Sequence, residues 1–201
     1  NYMGMTRHMR AAIEESVDTH ARTKDPQCVD LICDRECYAD ICEAAKRSGN
    51  AFVIGYVKLL IDTINLKTFV RARKMGQPWS FFGTVFIGGG DISEKVFVSG
   101  YEEPVAQFAA RLEGTALKKA AEEGLASMKE TGSFTDIERL CDDALMDYVK
   151  DAKYISFGIE PLIAYMAAKQ AEIRCVRIVL AGKAAGLAPN LIRERLRETY
   201  G

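Results

Sequence analysis

Apolar residues recur at steps of three and four along nearly the whole of this chain, and that rhythm restricts the fold to packed helices. The cleanest run is Val29, Ile32, Cys33, Cys37, Ile41 and Ala44. Before it stands Asp25-Pro26, an N-cap residue followed by a proline whose missing N–H costs nothing in a first helical turn. These signals predict a helix over residues 26–47, broken at Ser48-Gly49-Asn50. A second helix is expected over residues 52–74, ended by Gly76 and Pro78. Because it is apolar around most of its circumference, it should be buried on more than one side.

The stretch 79–100 is aromatic and β-branched, punctuated by Gly88-Gly89-Gly90, and reads as an irregular connection with at most one short turn of structure. Pro104 then opens a helix to about residue 123, and Gly132-Ser133 marks a linker. Thr135 with Glu138 has the spacing of a capping box, which should launch a helix to about residue 153. Further helices are expected over 161–184 and 189–199, separated by Gly186 and Pro189. The fold class is all-α and multihelical.

A tandem repeat organises these elements. Val29, Ile32, Cys33-Asp34, Ile41 and Ala44 match Ile137, Leu140, Cys141-Asp142, Val149 and Ala152 at a separation of 108 residues. At 107, Leu59, Leu66, Lys67 and Phe69 match Met166, Ile173, Arg174 and Val176. The chain thus reads as two helical domains, residues 1–130 and 131–201, the second an incomplete copy. Such a unit is too long for the common short helical repeats, whose periods run from about 33 to 47 residues. If Cys33 and Cys141 are equivalent, both should face the core of their copies.

Composition narrows the function classes. Lys and Arg (27) nearly balance Asp and Glu (28), which removes the basic footprint expected of a nucleic-acid binder. The longest apolar run, near residues 51–64, is interrupted by Lys58 and Asp62, far short of the roughly 20 apolar residues a membrane-spanning helix needs. No leader pattern opens the chain, so a cytoplasmic protein without direct membrane insertion is expected. The chain begins at Asn1 rather than at Met and reads as part of a longer protein.

Reactive constellations are hard to assemble. Cys28, Cys33, Cys37 and Cys42 lack the paired two-residue spacing of zinc knuckles, and His8 and His20 have no sequence neighbour suited to catalysis or metal binding. The segment around Gly182-Lys183 fails as a phosphate loop, because Arg177 stands where the first glycine belongs and Ala184 where a magnesium-holding hydroxyl belongs. Gly88-Gly89-Gly90 lacks a following Lys and Ser/Thr, and is better read as a turn. Asp62 and Asn65, one turn apart in a buried helix, should form an internal hydrogen-bonded pair fixing helix packing. Asp34 with Glu36 and Asp142 with Asp143 read as solvated charge, and the arginines at 193, 195 and 197 as a basic helix face. No catalytic, cofactor-binding or metal-ligating residue is therefore assigned.

The runs Ala144-Leu145-Met146-Asp147-Tyr148, Ala152-Lys153-Tyr154 and Phe157-Gly158-Ile159-Glu160-Pro161-Leu162-Ile163-Ala164-Tyr165 resemble the C-terminal part of the C subunit of archaeal and bacterial V-type ATPases, the counterpart of the d subunit in the vacuolar enzyme. Glu172-Ile173-Arg174, Gly182-Lys183 with Gly186-Leu187, and Ile192-Arg193-Glu194-Arg195-Leu196 extend the likeness. So do Asp25-Pro26, Val29-Asp30, Asp34, Asp62, Asn65-Leu66-Lys67 and Arg71 in the earlier copy. The resemblance implies tandem helical domains of a pseudo-threefold funnel. It also implies a non-catalytic component, peripheral to the membrane on its cytoplasmic side, that couples the central stalk to the proteolipid ring in proton or sodium transport. The central-stalk proteins and the ring are then the expected partners. The chain begins about one domain later than the family does. Its last unit should therefore lack a closing helix and expose an apolar strip at Leu162, Tyr165 and Val176, which favours self-association. The competing reading is a helical adapter unrelated to the ATPase, with a small helical-bundle enzyme behind it.

Overall fold

A computed structural model describes residues 4–200. Residues 1–3, on which the absence of a leader was partly read, lie outside the described residues, as does residue 201. Among the described residues there are helices and no strands, in two compact units spanning residues 1–98 and 99–201.

The first unit opens with α1 (Arg7–Thr23) and α2 (Pro26–Ser48), a hairpin of two packed helices. Asp25 caps α2 as its sequence requires, its side chain accepting the Gln27 N–H. Gly49, in the left-handed region at φ 64°, ends α2, and Asn50 caps α3 (Ala51–Lys74) by accepting the Val53 N–H. As expected, α3 is buried on several sides, with Leu59, Ile61, Leu66, Phe69 and Val70 all inaccessible or nearly so.

The segment after α3 is not the irregular connection expected from its composition. It holds two short helices, α4 (Trp79–Val85) and α5 (Glu94–Ser99). Its aromatic rings complete the core: Phe82 and Phe97 lie 5.5 and 5.4 Å from Phe69, centroid to centroid. Aromatic, β-branched composition here reflects burial against α3 rather than extended backbone.

In the second unit the helix expected from Pro104 to about residue 123 divides. α6 (Val105–Arg111) stops at a turn through Gly114 and Thr115, where the Thr115 hydroxyl accepts the Leu117 N–H. A π-helical turn (Ala120–Gly124) then leads into α7 (Leu125–Thr131). Gly124 permits close packing on the next helix: a Cβ there would lie 2.8 Å from the Ile137 Cα. That next helix, α8 (Thr135–Lys150), begins one residue earlier than a Thr135 cap would require. Phe134 occupies the cap position, and the Ser133 hydroxyl accepts the Thr135 N–H. α8 gives way to a 3-10 turn (Asp151–Tyr154) rather than running on to residue 153.

α9 (Glu160–Ala184) and the short α10 (Pro189–Arg193) complete the chain. α10 ends well before residue 199 because the tail after it is drawn onto α8. Gly182 lies inside α9 and makes room for Ile192, whose Cγ1 would stand 2.7 Å from a Cβ at that position.

The two long helices, α3 and α9, end identically. After α3 the N–H groups of Met75, Gly76 and Gln77 donate to the carbonyls of Arg71, Arg73 and Ala72. After α9 those of Ala185, Gly186 and Leu187 donate to Ala181, Lys183 and Gly182. Both are Schellman endings around a left-handed glycine, at φ 67° and 68°. They set the register of the two helices at 110 residues, three more than apolar matching suggests. Asp62 is thereby paired with Glu172, Leu66 with Val176 and Ala72 with Gly182. The equivalence of Cys33 and Cys141 fails at the level of burial: Cys141 is inaccessible whereas Cys33 is exposed. α2 carries helices on two flanks, and Cys33 falls at the margin, its sulfur 3.8 Å from the Ser16 hydroxyl of α1.

Candidate functional site

Asp62 and Asn65 do sit in the buried face of α3, but they grip a loop rather than each other. The Asn65 side chain accepts the Ile87 N–H at 2.9 Å and donates to the Ile87 carbonyl at 2.8 Å. One Asp62 oxygen accepts the Asp91 N–H at 3.0 Å and the other the Ile92 N–H at 3.1 Å. The glycines between are needed for the approach: a Cβ on Gly90 would lie 2.0 Å from Asp62 Oδ1, and one on Gly89 2.6 Å from the Cys42 sulfur. Gly88-Gly89-Gly90 is thus a packed turn, and the backbone N–H groups just after it turn to a carboxylate and not to a phosphate. Burial pushes the Asp62 carboxyl up to about 6, against the opposing pull of the two N–H donors.

Two other polar clusters were not legible from the chain. His8 on α1 has carboxylates after all, Glu36 at 2.8 Å from Nδ1 and Glu43 at 3.1 Å from Nε2, both from α2. The Glu36 contact chiefly holds the imidazole above its ordinary range. The signal available in sequence was Glu36 and Glu43 seven apart, hence on one face of α2, opposite a histidine across a short hairpin. Asp142 and Asp143, read as solvated charge, are largely enclosed and fasten the tail. Asp142 accepts from Arg197 at 2.8 Å and pairs with Arg174 at 2.6 Å, while Asp143 accepts the Glu198 N–H at 2.8 Å. Arg197 is therefore an internal strut rather than part of a free basic face.

Two clefts remain. One of about 640 Å³ lies between α6 and the π-turn with α7, lined by Val105, Ala109 and Ala126 and rimmed by Glu113, Glu122 and Glu130. Another of about 320 Å³, between α2, α3 and α4, takes in Asp34, Tyr38 and Arg71. Neither pairs a nucleophile with a base, and Asp62 is sealed beneath Gly90 instead of opening into a cleft. Among the described residues no three His, Cys, Asp or Glu side chains converge as a metal would require, and all six cysteines are free. No helix among them is long and apolar enough to cross a membrane. The strip at Leu162, Tyr165 and Val176 is exposed, as expected.

Kinship with known proteins bears on what such a helical body is. A family model described as ATP synthase (C/AC39) subunit matches residues 1–195. The chain is 25% identical over 174 residues to the C subunit of the V-type sodium ATPase of Enterococcus hirae, covering 87% of this chain and 52% of that protein. It is 24% identical to the C subunit of the A-type ATP synthase of Halobacterium salinarum, covering 76% of this chain and 44% of the relative. With the C subunit of the A-type ATP synthase of Methanobrevibacter smithii the identity is 28%, and the shares covered are 74% and 41%. The chain spans about half the length of these curated relatives or less. No solved structure matches it significantly. With nearly its whole length matched by the family model, the chain belongs to the ATP synthase (C/AC39) subunit family.

Proposed function

We propose that the chain serves as a non-catalytic coupling element of a rotary V-type or A-type ATPase, joining the central stalk to the proteolipid ring on the cytoplasmic face of the membrane. The observation that carries this reading is the family match over residues 1–195. The physical character of the molecule suits it. Transmitting torque requires domains that do not yield, and dense helix packing within each unit supplies that stiffness. The Asp62 clamp pins a loop within the first unit, and the Asp142–Arg197 strut pins the tail within the second. Residues 1–130 and 131–201 are taken, in this reading, as the family's middle and C-terminal repeats, whether the ion carried is a proton or sodium.

Reconstitution tests the role. Stalk proteins and detergent-solubilised proteolipid ring, each purified from the same source, should co-sediment when this protein is added and remain separate without it. A protein that binds neither component would sink the proposal. Saturable binding of ATP at micromolar concentration, which an unrelated control protein does not show, would overturn the non-catalytic reading.

A further inference from the structure

The loop after α3 and the tail after α9 are held at corresponding points. The Asn65 amide donates to the Ile87 carbonyl at 2.8 Å, and 110 residues on the Cys175 thiol donates to the Arg197 carbonyl at 3.7 Å. This is the register already set by the two Schellman endings. In the second unit two guanidinium groups meet on one carboxylate: Asp142 of α8 takes Arg174 at 2.6 Å and Arg197 at 2.8 Å. The corresponding residues of the first unit are Asp34, 108 before Asp142, and Ile64 and Ile87, 110 before the arginines. All three line the cleft of about 320 Å³ between α2, α3 and α4. They converge as their counterparts do, which keeps α2 and α8 in register although Cys33 and Cys141 differ in burial. With isoleucine in both arginine positions, Asp34 is an exposed carboxylate with no ion pair or hydrogen bond among the described residues. The two cations in the lining do not supply one. Arg35 is held by Glu15 and Glu36, and Arg71 is engaged by groups other than Asp34.

We infer that this cleft is a docking site for an arginine side chain presented by a partner protein. The second unit shows what such a carboxylate takes when arginine is at hand within the chain. The first unit keeps the carboxylate and gives up both arginines, leaving a cleft in their place. The lining suits an incoming guanidinium. Ile64 and Ile87 offer apolar surface to the methylene stem, and Tyr38, Phe81 and Phe86 are aromatic rings of the kind a planar guanidinium stacks on. Asp34 can then accept two N–H bonds from the guanidinium fork, an arrangement that a lysine ammonium does not match. An arginine anchored in such a pocket is a common centre of binding energy at protein interfaces. Neither the cleft nor its carboxylate depends on the coupling role.

Titrating the isotope-labelled chain with the peptide acetyl-Leu-Arg-Leu amide, read by backbone amide NMR shifts, tests the site. Saturable shifts should fall on residues 27–38, 64–75 and 81–87, which line the cleft. Citrulline in place of arginine keeps the shape and removes the charge, and should weaken binding on the order of tenfold. Asp34→Asn should weaken it to a similar extent with unchanged helical circular dichroism, since the position is exposed. Ile64→Arg puts a guanidinium where Arg174 stands in the second unit and should abolish peptide binding. Free arginine that binds as tightly as the peptide would make this a small-molecule site and overturn the inference. So would shifts that avoid the cleft, a titration that does not saturate, or binding indifferent to Asp34→Asn and to citrulline.

Discussion

Asp62 is held in a conflict between burial and hydrogen bonding. Its carboxyl titrates near 3.8 when unfolded and at about 6 when folded, so between those values the native state binds more protons than the unfolded one. Stability must therefore fall as pH rises through that window, and the whole penalty is present above it. The difference corresponds to about 3 kcal/mol. In urea titrations from about pH 4 to 7, wild type should lose stability relative to Asp62→Asn, whose amide does not titrate; parallel profiles would remove Asp62 as the cause. Sterics at the same clamp give a second test. Gly90→Ala drives a methyl group into the Asp62 carboxylate and should cost about 1–3 kcal/mol. Gly88→Ala, with open space around it, should stay within about 0.5 kcal/mol. The sequence singles out Asp62 and Asn65, because polar groups in so apolar a helix demand partners. It does not disclose those partners, which are backbone N–H and carbonyl groups 22 to 30 residues further on and leave no side-chain signature.

At the scale of elements, α1 is fastened to α2 by the His8 bridge to Glu36 and Glu43, with Arg7 and Arg35 beside it. The imidazole is raised above 6.5, chiefly by Glu36, so docking is strongest below pH 6.5 and weakens as pH rises through the folded value. Hydrogen exchange should show amides of residues 7–23 losing protection in that range, and His8→Ala should abolish the pH dependence while leaving α3 protected. Exchange in α1 that ignores both pH and the substitution would refute the bridge. Helices were legible wherever a cap, a proline or a glycine marks the backbone locally, as at Asp25-Pro26 and Gly49. Local signals mislead where a tertiary partner decides the outcome. α4 and α5 form because Phe82 and Phe97 are buried against Phe69, and α10 stops early because Asp142 and Asp143 capture the tail.

For the molecule as a whole, the question is whether the two long helices are copies of one design. Apolar matching is a weak guide to register, since a slip of three residues moves an apolar stripe by less than a fifth of a turn and still superposes it on itself. A helix end is a stronger guide, because it combines a backbone conformation with a hydrogen-bond pattern that only certain residues permit. α3 and α9 share that ending, with Gly76 and Gly186 in the same left-handed geometry and nothing within 4 Å of a Cβ on either. Open surroundings mean that alanine at these positions pays for conformation alone, about 1–2 kcal/mol, the usual cost of the left-handed region to an L-residue. If both endings descend from one unit and do the same work, Gly76→Ala and Gly186→Ala should destabilise by equal amounts within error. The double variant should show the sum of the two, the additivity expected of glycines that end helices in separate compact units. Urea unfolding of the three variants against wild type measures it. Unequal losses, with one glycine replaceable at no cost, would mean that one of these endings is held by its tertiary surroundings and that the shared register of 110 residues is coincidence.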